Sequence, residues 1–292
     1  MLPMDDRDGT IWLDGALVPW REARLHVLSH GLHYGTSVFE GERVYGGQVF
    51  RLNAHSRRLI RSARLIAMPF TLSADALDAA TRAVVDANGI ADGYVRPVAW
   101  RGAEDMGLSA PDARTHVAIA AWPWPAVFGA AQRKRGIALV LSRWSRIPPA
   151  AIPIQAKAAG TYLNGAIARR EAEAAGADDA LLLDDRGDLA EATGANLFLV
   201  RDGGLATPIA DHVLDGITRQ TVIDIARRLG LRVEEARLPP TALETADEVL
   251  LTGTAYEITP VSRIGELRWP VGPVTRRLIT AFDAEVRDEH AT

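Results

Sequence analysis

Apolar positions recur along this chain with two periods. From Asn53 to about Met68 they fall three and four apart, with Leu59, Ala63 and Ile66 on one face, which predicts an amphipathic helix. A second helix is predicted from an N-cap at Ser73 to a stop at Asn88-Gly89. Three more follow: GTYLNGAIARREAEAAG stopping at Gly176, ITRQTVIDIARRLG stopping at Gly230, and a last one from about Val274 to Val286. Between them lie apolar runs of strand length. IWLDGALVPW reads as a hairpin turning at Asp14-Gly15, and YVRPVAW, THVAIAAW, IALVLS and EVLLTGT as strands. ALLLDDRGDLAE and NLFLVRDGGLATP read as strand–turn–strand units, with turns at Arg186-Gly187 and Gly203-Gly204.

Strands and helices mix without strict alternation, so an α+β architecture is expected. The length of 292 residues suits one large domain or two ordinary ones. The best boundary is PWPAVFGAAQRKRG, which sets two prolines, two glycines and a charge cluster between apolar runs. It divides a smaller N-terminal domain, 1–122, from a linker, 123–136, and a larger C-terminal domain, 137–292.

The first residues, MLPMDDRDGT, lack the basic start and apolar run of a signal peptide. The longest apolar stretch, Val117 to Ala131, is broken by Pro123 and Pro125 and is shorter than the roughly 20 residues of a membrane span. No membrane association is expected, and a cytoplasmic location is. The net charge of −4 argues against nucleic acid as main partner.

Composition narrows the chemistry. The absence of cysteine removes disulfides, thiolate metal sites and thiol nucleophiles. His26, His30 and His33 cluster, but their spacing matches no familiar metal site, and no metal is expected. The 33 basic residues are 31 arginines and two lysines, Lys134 and Lys157. Lys134, in QRKRG, reads as solvated linker charge. Lys157, in AIPIQAKAAGTYLN, has small or apolar neighbours. Two readings of it are open. Its stem packs while its head reaches water, or desolvation lowers its pKa from about 10.4 toward the nucleophilic form that Schiff-base chemistry uses.

Three other stretches offer ligand chemistry. Asp215-Gly216 turns into a helix opening at Thr218, whose free N–H groups suit an anion. LTGTAYEITP carries small residues and a hydroxyl after a strand, fit for a phosphate or carboxylate or for an ordinary turn. Glu191, at a strand end, is either a solvated turn residue or a carboxylate able to keep a ring nitrogen protonated.

These stretches, taken in order, resemble the branched-chain aminotransferases of pyridoxal-phosphate fold type IV. The resemblance runs from IWLDG to GPVTRRL through HVLSHGLHYGTSVFEG, HSRRL, YVRP, IPIQAKAAGTYL, LAEATGANLF, LDGITRQ and TGTAYEITPV. It implies a small N-terminal α/β domain and a larger C-terminal domain with a β-barrel-like core. It implies pyridoxal 5'-phosphate as cofactor, with Lys157 forming the Schiff base and Glu191 facing the pyridine nitrogen. Arg58, rather than Arg57, matches the phosphate arginine, and Tyr162 the tyrosine at the phenolic oxygen. Ile217 and Thr218 match phosphate-binding amides, Thr254 a further hydroxyl, and Leu214 the residue against the ring; Gly216 and Gly253 complete the cofactor set. Tyr34, Phe39, Tyr94 and Arg96 match pocket residues, while Thr254 and Ala255 lie where the substrate carboxylate is bound.

The implied activity is ping-pong transfer of an amino group from an L-branched-chain amino acid to 2-oxoglutarate. The small-molecule partners are amino acids and 2-oxo acids. A homodimer or assembly of dimers is also implied, with the site at the domain junction and completed by the neighbouring subunit. Alternatives are an amine transaminase, a D-amino-acid transaminase or a related lyase with a modified pocket, or a non-catalytic binding protein that keeps the fold. Val98 stands where the D-amino-acid branch has histidine. The chain departs from the family pattern at AGTY, with Ala159 and Thr161, at Val127 in place of a pocket tyrosine, and at Glu42 after FEG. A charge at Glu42 is expected to oppose acidic substrates unless Arg43 neutralises it.

Overall fold

The computed structural model describes residues 3–124 and 127–288. The chain divides into two compact units, one of residues 1–125 with 156–160, the other of residues 126–155 with 161–292.

The first unit is a seven-stranded antiparallel sheet with two helices packed on one face. Its strands are β1 (Thr10–Leu13), β2 (Ala16–Pro19), β3 (Ser37–Phe39), β4 (Glu42–Tyr45), β5 (Gln48–Val49), β6 (Gly93–Arg101) and β7 (Thr115–Pro123). The predicted β1–β2 hairpin forms, and Asp14 and Gly15 both take positive φ, as its tight turn requires. The short helix α1 (His30–Tyr34) precedes β3. Helices α2 (Leu52–Leu65) and α3 (Ala74–Ala87) match the predicted periodic segments, and the Ser73 hydroxyl accepts the Ala76 amide at 3.1 Å as the N-cap. Leu59, Ala63, Leu77 and Val84 of these helices bury against Val38, Val44, Val95 and Ile119 of the sheet. Strand residues alternate faces, so Phe39, Tyr94, Arg96 and Val98 lie on the side away from the helices.

The second unit holds α4 (Ala130–Arg135), β8 (Ile137–Leu141), α5 (Leu163–Ala174), β9 (Asp179–Leu183), β10 (Leu189–Ala192), β11 (Asn196–Arg201) and β12 (Gly204–Pro208). It continues through α6 (Ile217–Arg228), β13 (Val233–Ala236), β14 (Glu248–Gly253), β15 (Glu257–Ile264), β16 (Leu267–Arg268) and α7 (Pro273–Asp288). The sheet runs β10-β9-β8-β15-β14-β11, and β10 pairs back onto β11. Six strands thus close into a barrel, which removes the open edges. Ile137, Leu139, Leu181, Leu197, Leu199, Val249, Leu251 and Val261 fill its apolar core. The fold is α+β, and the β-barrel-like core expected of the second domain is this closed sheet.

Three features differ from the pattern-based expectation. The segment 123–136, expected as the interdomain linker, contains the boundary between the two units and carries regular structure at both ends: Pro123 ends β7 and Ala130–Arg135 is helical, with Arg133 paired to Asp283 at 2.8 Å. Pro125 and Ala126 of that segment lie outside the described residues. The helix predicted across 160–176 begins as a 3₁₀ turn, Ala159–Tyr162, before α5. The stretch containing Pro260 is a strand, β15, paired on both sides, although a proline normally argues against a central strand.

Candidate active site

Five residues, 156–160, leave the second unit's stretch of chain and join the first. Ala158 bridges Val38 of β3, the Phe39 amide donates to the Lys157 carbonyl at 3.0 Å, and the Lys157 amide donates to the Ser62 hydroxyl on α2 at 3.0 Å. The segment also passes close to Gly35: a Cβ on Gly35 would stand 3.2 Å from Gly160 Cα. Lys157 is therefore held by its main chain, and its half-buried ammonium lies 4.9 Å from the centre of the Phe39 ring. The Arg96 guanidinium lies 4.7 Å from the same ring and donates to the Tyr94 hydroxyl at 3.3 Å. Gly41 leaves room beside them for Tyr94, whose hydroxyl a Cβ there would meet at 1.8 Å and displace. The same face of the sheet opens into a cavity of about 580 Å³ lined by Arg96, Val98, Trp100, Ala118, Ala159 and Gly160 among others. Lys134, by contrast, is exposed on α4.

Arg58 lies on α2, half-buried, while its neighbour Arg57 is exposed and bonded to Asn53. The Arg58 guanidinium grips Glu40 with two bonds, Nε to Oε1 at 2.6 Å and a terminal nitrogen to Oε2 at 2.7 Å. His55 adds a third contact, Nδ1 to Glu40 Oε2 at 2.7 Å. Glu40 is fully buried; burial would raise its pKa, but Arg58 and His55 together hold it well below the usual carboxylate range. The His55 pKa is pulled down, chiefly by burial.

Glu42 does not face the pocket side. It pairs with the core residue Val95, whereas Arg43 pairs with Tyr94, so the two point to opposite faces. Arg43 does not neutralise it either: that guanidinium donates to the Trp124 carbonyl at 2.9 Å and lies over Tyr45. Burial first, then Glu40 and Asp78, push the Glu42 carboxyl well above its ordinary range. The expected repulsion of acidic substrates by Glu42 therefore has no geometric basis.

In the second unit Glu191 sits at the barrel seam, directly opposite Asn196, the register pair that joins β10 to β11. The Asn196 amide donates to Glu191 Oε2 at 3.0 Å and also to the Leu214 carbonyl at 2.8 Å. Arg146 Nε lies 2.8 Å from the other Glu191 oxygen. Glu191 is buried, so its charge is stabilised by these partners rather than by water. Gly216 is the N-cap of α6 and brings no side chain to the amides of Ile217 and Thr218. A Cβ at Gly216 would stand 2.2 Å from the Asn196 carboxamide oxygen, so a larger residue there would have to displace the Asn196 side chain. Gly253 ends β14 and Thr254 and Ala255 form the turn into β15; the Val127 amide reaches the Ala255 carbonyl at 3.4 Å. Tyr162 is half-buried at the end of the 3₁₀ turn.

The structure thus gathers Lys157, Phe39, Tyr94 and Arg96 in one unit and Glu191, Leu214, Gly216, Ile217 and Thr218 in the other. Tyr34 stands apart from its expected companions: it is exposed and packs against His30, ring centroids 4.5 Å apart. His30 itself is buried between Thr36 and the Gly107 carbonyl, a structural role. Glu40, Arg146 and Asn196 were not singled out from sequence. The GANLF stretch held a signal for Asn196, a carboxamide opening a strand beside Glu191; Arg146 lies 45 positions from its partner and offered none.

The pattern that defines Amino-transferase class IV matches residues 37–264. The chain belongs to the class IV aminotransferases. This aminotransferase is 41% identical over 288 residues to the branched-chain-amino-acid aminotransferase of Pseudomonas aeruginosa, covering 96% of this chain and 94% of that one. Its fold superimposes on the branched-chain amino acid aminotransferase of Escherichia coli with a TM-score of 0.92, at 41% identity and coverage of 95% and 94%. The T.th. branched-chain enzyme complexed with N-(5'-phosphopyridoxyl)-L-glutamate is 44% identical, with a TM-score of 0.91 and coverage of 97% and 95%. Among the described residues of this class IV aminotransferase, no helix is long and apolar enough to cross a membrane.

Proposed function

We propose that this chain is a pyridoxal-phosphate-dependent aminotransferase for L-branched-chain amino acids, with 2-oxoglutarate as amino acceptor. The observation that carries the reading is Lys157, whose amine lies over Phe39 while the chain's other lysine is exposed. The residues fit the cofactor. Gly216 leaves the first amides of α6 without a side-chain cap, where a phosphate has its place, and Glu191 is a buried carboxylate with its charge already stabilised. Two similar proteins act on branched-chain amino acids by name, and a third is complexed with the cofactor joined to glutamate.

Pyridoxal phosphate, when bound, supplies an electron sink that makes the Cα proton of an amino acid removable. Lys157 would hold the cofactor, and its amine, when free, would carry that proton as base and then acid. Glu191 would keep a proton on the ring nitrogen. By the family resemblance, Arg58, the Ile217 and Thr218 amides and the Thr254 hydroxyl would bind the phosphate, Tyr162 would bond the phenolic oxygen and Leu214 would face the ring. Gly253 and Ala255 would serve the carboxylate with Thr254, Phe39, Tyr94 and Arg96 would shape the pocket, and the exposed Tyr34 would reach a pocket only in the dimer.

A homodimer is part of this reading. Leu25, Val27, Leu28, Leu32 and Tyr34 are all exposed within ten residues, an apolar patch that a second copy would cover. Light scattering of the purified chain at dimer mass is the expected result. The function is tested with leucine, isoleucine, valine, D-alanine and 1-phenylethylamine as donors to 2-oxoglutarate. Turnover with the three L-amino acids is expected; turnover with D-alanine or the amine alone would assign the chain to another branch. A cytoplasmic location belongs to the same reading.

A further inference from the structure

The loop 209–216, between β12 and α6, has no regular secondary structure of its own, yet it aims the start of α6. Two carboxamides from outside the loop hold its main chain. Asn196 takes the Leu214 carbonyl. Gln155 takes three atoms: its amide nitrogen donates to the Ala210 carbonyl at 2.7 Å and the Val213 carbonyl at 2.8 Å, and its oxygen accepts the Asp215 amide at 3.3 Å. A carboxamide donates and accepts from one planar group; a carboxylate only accepts and an ammonium only donates. The residue type is thus dictated by the mixed polarity of the loop. The Asp215 side chain turns the other way, onto Arg219 and Gln220 within α6, so the Gln155 staple and the helix start meet at Asp215.

We propose that Gln155 is a positioning residue for the phosphate end of the cofactor, setting the loop from Ala210 to Asp215 so that the Ile217 and Thr218 amides point where the phosphate binds. The proposal rests on the pyridoxal-phosphate reading above. Gln155 acts through the loop and touches no reacting atom. Its loss therefore weakens recognition of the phosphate and leaves the covalent chemistry of Lys157 intact.

The test compares pyridoxal phosphate with pyridoxal, which lacks the phosphate. Dissociation constants for both are measured by Schiff-base absorbance on the full cofactor-stripped chain, for the wild type, Gln155→Met and Gln155→Glu. Gln155→Met keeps the length and removes all three bonds. Gln155→Glu keeps the bond to the Asp215 amide and sets a carboxylate against two carbonyls. Both are expected to weaken pyridoxal phosphate by roughly tenfold or more, the effect of one to two net hydrogen bonds, while pyridoxal changes by less than about twofold. Parallel weakening of both ligands would mean a general packing defect and overturn the proposal, as would unchanged pyridoxal phosphate affinity. Should Gln155→Met not fold, Gln155→Glu gives the same readout. A wild-type chain that forms no Schiff base with pyridoxal phosphate would instead sink the cofactor reading itself.

Discussion

The two units hold their candidate residues by different means. In the first, Lys157 is held through its main chain, but Arg58 is held side chain to side chain on the buried Glu40, a carboxylate that His55 also contacts. In the second, Glu191 is also held by side chains, those of Asn196 and Arg146, but the loop before α6 is held by its main chain, the carbonyls of Ala210, Val213 and Leu214 meeting Gln155 and Asn196, and Gly216 leads into the Ile217 and Thr218 amides. A buried ion pair depends on both partners and on pH. A main-chain site depends on backbone conformation, and is broken by adding bulk rather than by removing charge. The Arg58 anchor should be sensitive to charge deletion, the start of α6 to added bulk.

Lys157 is indispensable under the proposed function, whichever unit fails first. Lys157→Ala should abolish turnover and the Schiff-base absorbance together; surviving turnover would remove the lysine from its role. Next is the ion pair. Glu40→Ala leaves Arg58 and His55 facing an emptied buried position, and should destabilise the chain by about 3–5 kcal/mol in urea unfolding. A loss under about 1 kcal/mol would erase the contrast between the units.

Glu191→Ala should retain the phosphate anchor but lower turnover by roughly a hundredfold, the size of effect seen when one buried electrostatic partner is removed from a reacting system. An unchanged rate would take Glu191 out of the mechanism. Gly216→Ala tests the main-chain half directly. Its methyl would collide with the Asn196 carboxamide, so pyridoxal phosphate affinity should fall by about tenfold with little change in overall stability.

The smallest effect concerns pH. Glu42 has a raised folded-state pKa, so its contribution is fully present below the ordinary carboxylate value of 4.5 and is lost as pH rises through the folded value. Glu42→Gln should therefore stabilise the chain more at pH 8 than at pH 5, read as the difference in urea midpoints. Glu40 behaves oppositely: its lowered pKa gives stability present above 4.5 and lost as pH falls below it. A Glu42→Gln difference independent of pH would show that its carboxyl is not held neutral by the fold.

Much of the candidate residue set is legible because it rests on scarce residue types and local patterns. Two lysines in 292 residues reduce the Schiff-base candidates to a pair, and the neighbours of each separate them. Gly216 and Thr218 at a helix start, and Glu191 at a strand end, are local signals that the structure retains in α6 and β10. Arg146 and Gln155 carried no such signal. Their partners lie 45 and 55 to 60 positions away, and sequence spacing says nothing of bonds at that range.

The sequence by itself determined where the periodic elements lie, because a 3.6- or 2-residue period is a property of neighbouring residues. It determined the α2, α3, α6 and α7 segments, the Asp14-Gly15 turn and the one lysine in apolar surroundings. Only the tertiary structure decided which face Glu42 takes, that residues 156–160 join the first unit, and that the barrel closes at Glu191 and Asn196. Each of these is a matter of strand register, set by pairing between distant segments, and a shift of one residue would turn every such side chain to the other face.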